Sequence, residues 1–203
     1  MNNEHDYLRD LEEIRSMMER SSKFLSLSGW AGIMAGIYAL AGAVCVSALF
    51  GFDPKDAGLA GGAAEMPRVI ATGALVLLLA IGTAVALSSR KAAQRGEKVW
   101  NAASRQLVVN MALPLSAGGI LVVILLAKGF PGLAAPLTLI FYGLALFHAG
   151  KFTFGEVKFL GLIQTGLGLV AAWFVEYGLV LWALGFGCMH ILYGTYMYFR
   201  YER

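Results

Sequence analysis

The chain has 203 residues, 58% of them hydrophobic and only 14% charged, whereas a water-soluble domain carries about 25% charged residues. That deficit excludes an ordinary soluble enzyme, and a formal charge of +3 is too small to signal a nucleic-acid partner. Cys45 and Cys188 both lie inside apolar stretches, which argues against a disulfide framework or a thiolate metal site.

The opening Asn2-Asn3-Glu4-His5-Asp6 is unlike the basic start of a signal peptide, so the first apolar stretch is expected to be retained. Residues 1–25 read as an amphipathic helix. Tyr7, Leu11, Ile14, Met18 and Leu25 keep a seven-residue repeat on one face. The six acidic and four basic residues around them do not make a polybasic lipid anchor. Tyr7, Leu11, Ile14 and Met18 are therefore candidate docking residues for a cytoplasmic protein or a second copy of the chain. Packing against the ends of the chain's own helices is the plainer use of the same stripe.

Six apolar stretches follow, at 26–50, 68–88, 107–127, 133–150, 157–175 and 179–199. At about 20 residues each, every one can cross a hydrocarbon layer of about 30 Å as a helix. The first carries Gly32 and Gly36, four apart on one stripe where a second backbone can approach closely. Pro67 sits at the first turn of the second, where its missing N–H costs nothing. In the third, Pro114 cannot donate to the carbonyl of Asn110, so a kink or an inserted polar partner is expected there. Such a kink makes Pro114 a candidate hinge, with tolerance by neighbouring helices the plainer reading. The fourth ends at His148. The fifth has Gly161 and Gly168 seven apart, with the polar Gln164 and Thr165 between them. The sixth carries Gly187, His190 and Gly194 and closes in a belt of Tyr193, Tyr196, Tyr198, Phe199 and Tyr201, as expected at a membrane interface. Lys23-Phe24-Leu25-Ser26-Leu27 and Lys158-Phe159-Leu160-Gly161-Leu162 form a short internal echo.

Lysine and arginine divide unevenly between alternate gaps: thirteen fall on one side and only Lys55, Arg68 and Lys128 on the other. Under the positive-inside rule this places both termini in the cytoplasm. The expected fold is all-α: a polytopic transmembrane bundle of six helices over 26–199, an amphipathic N-terminal cytoplasmic helix and a cytoplasmic tail at 200–203.

Ionisable and polar groups inside a bilayer are functional candidates by default. Here they are His190, His148, Asn110, Gln164 and Thr165. His190 shares its face with Phe186, Gly187, Tyr193, Gly194 and Met197. Flanking glycines would let a neighbouring backbone accept a hydrogen bond from its imidazole. The sharper readings are a proton relay or, with His148, the axial ligands of a haem. No catalytic residues and no metal site are assigned, because no nucleotide loop, zincin helix or nucleophile elbow is present.

Two segments carry a resemblance. Ile14-Arg15-Ser16-Met17-Met18-Glu19-Arg20-Ser21-Ser22 and Leu184-Gly185-Phe186-Gly187-Cys188-Met189-His190-Ile191-Leu192-Tyr193-Gly194 resemble small six-span bacterial membrane proteins. That resemblance implies the bacterial inner membrane and no particular activity. The glycine-rich stretch from Gly161 to Gly194 is also similar to the acid-resistance six-span membrane proteins, with Glu176-Tyr177-Gly178 where those have a proline. The function expected is that of a non-enzymatic sensing or scaffolding subunit in the lipid bilayer. A small-solute transporter or channel is the alternative, and a haem- or quinone-binding redox protein the second alternative.

Overall fold

The computed structural model describes residues 24–51, 66–96 and 98–203, so the docking stripe of Tyr7, Leu11, Ile14 and Met18 lies outside the described residues. Among these residues all regular structure is helical. α1 (Gly29–Val44) runs into a π-helical turn, Cys45–Leu49. α2 (Met66–Gln94), α3 (Ala102–Ala127), α4 (Ala134–Ala149) and α5 (Glu156–Trp173) follow. The last rod is composite: a 3-10 turn at Val175–Tyr177, α6 (Gly178–Trp182), a π-helical stretch Ala183–Met189 and α7 (His190–Tyr201). Five rods are long and apolar enough to cross a membrane, as befits a membrane protein. α5, 18 residues long with Glu156 and Lys158 in its first turn, is not among the five.

Polar capping sets the helix ends. Asn101 and Ser104 cap each other's backbone N–H at 2.9 Å ahead of α3, satisfying amides that the helix itself leaves unpaired. At the other end of α3 the amides of Gly129 and Phe130 donate to Leu126 and Leu125 at 3.1 and 2.9 Å. This closing motif needs the positive φ of +81° at Gly129. α3 continues unbroken through Pro114.

α1, α4, α5 and the last rod form the inner group. α2 packs chiefly on α1, and α3 on α4. The outer two bury little: only Ser88 and Ala92 of α2, and Ala103, Ser104 and Gly118 of α3. Leu77, Leu78, Val85, Leu113 and Val123 are exposed, forming apolar faces suited to lipid.

The inner rods meet backbone to backbone. A Cβ on Gly194 would lie 2.5 Å from the Gly29 carbonyl oxygen, and one on Gly36 only 2.6 Å from that of Gly187. Gly32 lies against Gly194 and His190, and Gly187 against Leu40. The second crossing joins α4 to α5: a Cβ on Gly161 would lie 2.6 Å from the Gly143 carbonyl oxygen, and Gly168 faces Pro136 and Ile140.

Residues 24–28 depart from expectation. The apolar run from Ser26 suggests helix, yet α1 begins only at Gly29 and the five residues before it are non-helical. Their backbone groups bond to distant parts of the chain. Phe24 N–H donates to Phe152 O at 2.8 Å, and Thr153 Oγ1 donates to Phe24 O at 2.8 Å. Over the described residues 24–27 the echo with 159–162 thus has no structural counterpart, since Phe159–Leu162 is helical.

Gly194→Ala is expected to push α7 off α1 and cost about 1–3 kcal/mol. Gly166→Ala, where no atom lies within 4 Å of the new Cβ, is expected to be neutral. Thermal unfolding of both variants in one detergent checks the contrast.

Candidate functional site

The described residues hold one buried polar cluster in the middle of the bundle, where the last rod widens into its π-helical stretch. Such stretches recur at functional sites. His190 follows it directly and is 5% exposed; Gln164 from α5 is fully buried. Tyr142 from α4 completes the group, its hydroxyl 2.9 Å from His190 Nε2. His190 Nδ1 lies 3.0 Å from the Gly185 carbonyl, and Gln164 Nε2 donates to that same oxygen at 2.8 Å. Gln164 Nε2 is also 3.3 Å from His190 Nδ1.

Two tautomers divide these contacts. A proton on Nδ1 is donated to Gly185 O and leaves Nε2 to accept from the Tyr142 hydroxyl, with the Gln164 amide nitrogen beside Nδ1 making no bond to it. A proton on Nε2 is donated to the Tyr142 oxygen and leaves Nδ1 to accept from Gln164 Nε2, with the Gly185 oxygen facing the same lone pair at 3.0 Å. Gln164 Oε1 is buried without a hydrogen-bond partner among the described residues. It presses on Gly185, where a Cβ would meet it at 2.5 Å.

Aromatic rings wall the cluster. Phe186 stacks on His190 with centroids 5.8 Å apart and planes 13° apart, and it touches Tyr142 and Trp182 at 4.9 Å each. In so apolar a surrounding each hydrogen bond is strengthened and each unmatched polar atom is costly. The cluster ties α4, α5 and the last rod together through uncharged groups.

Of the five polar candidates, only His190 and Gln164 come together, 3.3 Å apart and both beside the Gly185 carbonyl. His148 is exposed, with Nδ1 2.8 Å from Leu144 O of its own helix. Asn110 donates to Gln106 O at 2.8 Å and Thr165 to Gly161 O at 2.9 Å, again within their own helices. Both nitrogens of His190 are engaged, so neither is open to an iron in this arrangement. Its carbonyl partner is Gly185 of the same rod, not the neighbouring backbone that the flanking glycines suggest. Gly187 and Gly194 turn toward α1 instead. Tyr142, Gly185 and Trp182 were missed by the sequence reading. A tyrosine inside an apolar run, on the same face as Leu139 and Leu146, was the available signal for the first.

A second polar constellation closes the end of the bundle where residues 24–28 lie. Glu202 Oε1 accepts from the Gly29 N–H at 2.6 Å and from Lys91 Nζ at 2.9 Å, and Lys91 also donates to Leu27 O at 2.6 Å. The Lys91 and Glu202 side chains are each 13% exposed. Arg95 donates to Leu25 O at 2.8 Å, and the Tyr201 hydroxyl donates to Glu156 at 2.8 Å. Glu202 serves as the cap that α1 lacks, since the Ser28 side chain makes no capping bond. Its negative charge also suits the positive end of the α1 dipole.

No family model, curated protein or solved structure matches the chain. The geometry alone therefore carries the functional argument.

Tyr142→Phe removes one bond of the central network and leaves the packing in place. The expected loss is about 0.6–1.7 kcal/mol, the range for hydrogen bonds between membrane helices. A double-mutant cycle of Tyr142→Phe with Gln164→Leu is expected to show coupling through His190. Unfolding titrations in mixed micelles supply the measurement.

Proposed function

We propose that this chain is a six-span protein of the bacterial inner membrane with both termini in the cytoplasm, and that it relays the state of its bundle to a cytoplasmic partner through residues 1–23. One observation carries the reading. Residues 24–28, through which the N-terminal segment joins the bundle, are held by groups from α2 and from the turn between α4 and α5, and Glu202, the residue after α7, holds the adjoining Gly29 and Lys91. A shift of any of these elements moves the attachment point of residues 1–23. The central cluster would respond to such a shift, because its bonds tie three rods and depend on their relative placement.

The seven-residue stripe of Tyr7, Leu11, Ile14 and Met18 is the surface on which a partner would dock in this reading. Thirteen cations in alternate gaps support its cytoplasmic placement. Transport draws less support, since Asn110 and Thr165 spend their donors on their own helices. A haem held by His190 would have to displace the bonds to Tyr142 and Gly185.

The threading is checked by single cysteines in a Cys45→Ser/Cys188→Ser background. Lys128→Cys and Arg203→Cys are expected to react with an impermeant maleimide from opposite faces of sealed vesicles. The relay is checked by co-purification: deleting Met1–Arg20 is expected to abolish capture of cytoplasmic proteins while leaving the bundle folded. Unchanged capture after that deletion would sink the proposal.

A further inference from the structure

The charged constellation around Glu202 has a feature that simple capping does not require: one carboxylate oxygen serves two elements at once. It receives the first amide of α1 and the Lys91 ammonium from the last turns of α2, and the same ammonium donates to Leu27 O in the segment between them. Lys91 thus bridges the carboxylate and the backbone of residues 24–28. Without Glu202, Lys91 keeps a carbonyl acceptor but loses its counter-charge, and Gly29 N–H loses its acceptor.

Further bonds hold the start of the segment: Phe24 N–H to Phe152 O, Thr153 Oγ1 to Phe24 O, and Arg95 to Leu25 O. Arg95 is exposed, so water competes for its bond. Leu27 and the first amide of α1 are held through Lys91 and Glu202. These two side chains sit in a partly desolvated place, where a charge-assisted bond is stronger than one in water.

We propose that Glu202 is a releasable latch on residues 24–28: closed, its carboxylate clamps Lys91 and α1 together and, through Lys91, holds residues 24–28 against the bundle. Open, it frees residues 24–28 without dismantling the glycine crossings or the central cluster. Glu202 acts as a positioning residue through Lys91 and Gly29. The idea rests on the relay reading only for its biological use; the latch itself is a property of the bundle.

Hydrogen exchange read by mass spectrometry on the full chain in lipid nanodiscs tests it. Glu202→Ala is expected to raise exchange of the amides in 24–29 roughly tenfold, the effect of losing a charge-assisted bond. Peptides from α4 and α5 should exchange as in the unaltered chain. Glu202→Gln keeps an acceptor for Gly29 N–H and loses the ion pair, so it should fall between the two. Lys91→Met should also loosen 24–29, and the Lys91→Met/Glu202→Gln pair should add little beyond the larger single effect.

Exchange within about twofold of the unaltered chain in Glu202→Ala, additive effects in the pair, or loosening that spreads to α4 and α5 would each overturn the latch. Partner capture is scored separately. Faster exchange at 24–29 with no cytoplasmic partner captured by the unaltered chain would leave the latch standing and remove the relay.

Discussion

Inside a hydrocarbon layer, burying leucine against leucine gains little over leaving it against lipid, so helices must be held together by close packing and polar bonds. In this bundle the close packing comes from glycine. At Gly29, Gly32 and Gly194 the backbone of α1 lies directly on that of α7, and at Gly143 and Gly161 α4 lies on α5. Side chains at these positions would drive the rods apart, and the polar contacts between the inner rods depend on that spacing. Tyr142 reaches His190 at 2.9 Å because α4 and the last rod are both drawn against α5. Glu202 reaches Gly29 at 2.6 Å because α7 lies on α1.

The two polar constellations differ in kind. The central one is uncharged, sits among Phe186, Trp182 and Leu139 and leaves only Gln164 Oε1 without a partner. Charge at that depth would be expensive, and neutral hydrogen bonds avoid the cost. The constellation at the bundle end is ionic and lies where solvent can still reach each partner in part, so a charged pair is tolerable there. Depth decides which chemistry can hold the rods together.

Much of the architecture was legible in the sequence because hydropathy reports it directly: long apolar runs become long helices. Other features need tertiary contacts that no local pattern encodes. Residues 24–28 read as the start of a helix because Phe24, Leu25 and Leu27 are apolar; they are non-helical because Phe152, Thr153, Lys91 and Arg95 claim their backbone. Hydropathy also marks the lipid-facing part of a rod and not its end. α2 therefore continues past Ser88 to Gln94, and α3 starts at Ala102 from an Asn101–Ser104 cap that the sequence carried in plain view. His190 and Gln164 stood out as polar residues in apolar runs. Their meeting with each other and with Tyr142 did not, since it depends on the π-helical widening before His190, for which Gly185 and Gly187 were the only hints.

The cap on α1 also bears on the order in which the bundle can be finished. Gly29 and Glu202 are 173 positions apart, and the described helices lie between them. During synthesis α1 is complete long before the group that caps it exists, so its first amide is served by water or lipid headgroups until the last rod has been made. A helix made early is thus secured late, and closing that contact reports that α7 has settled against α1.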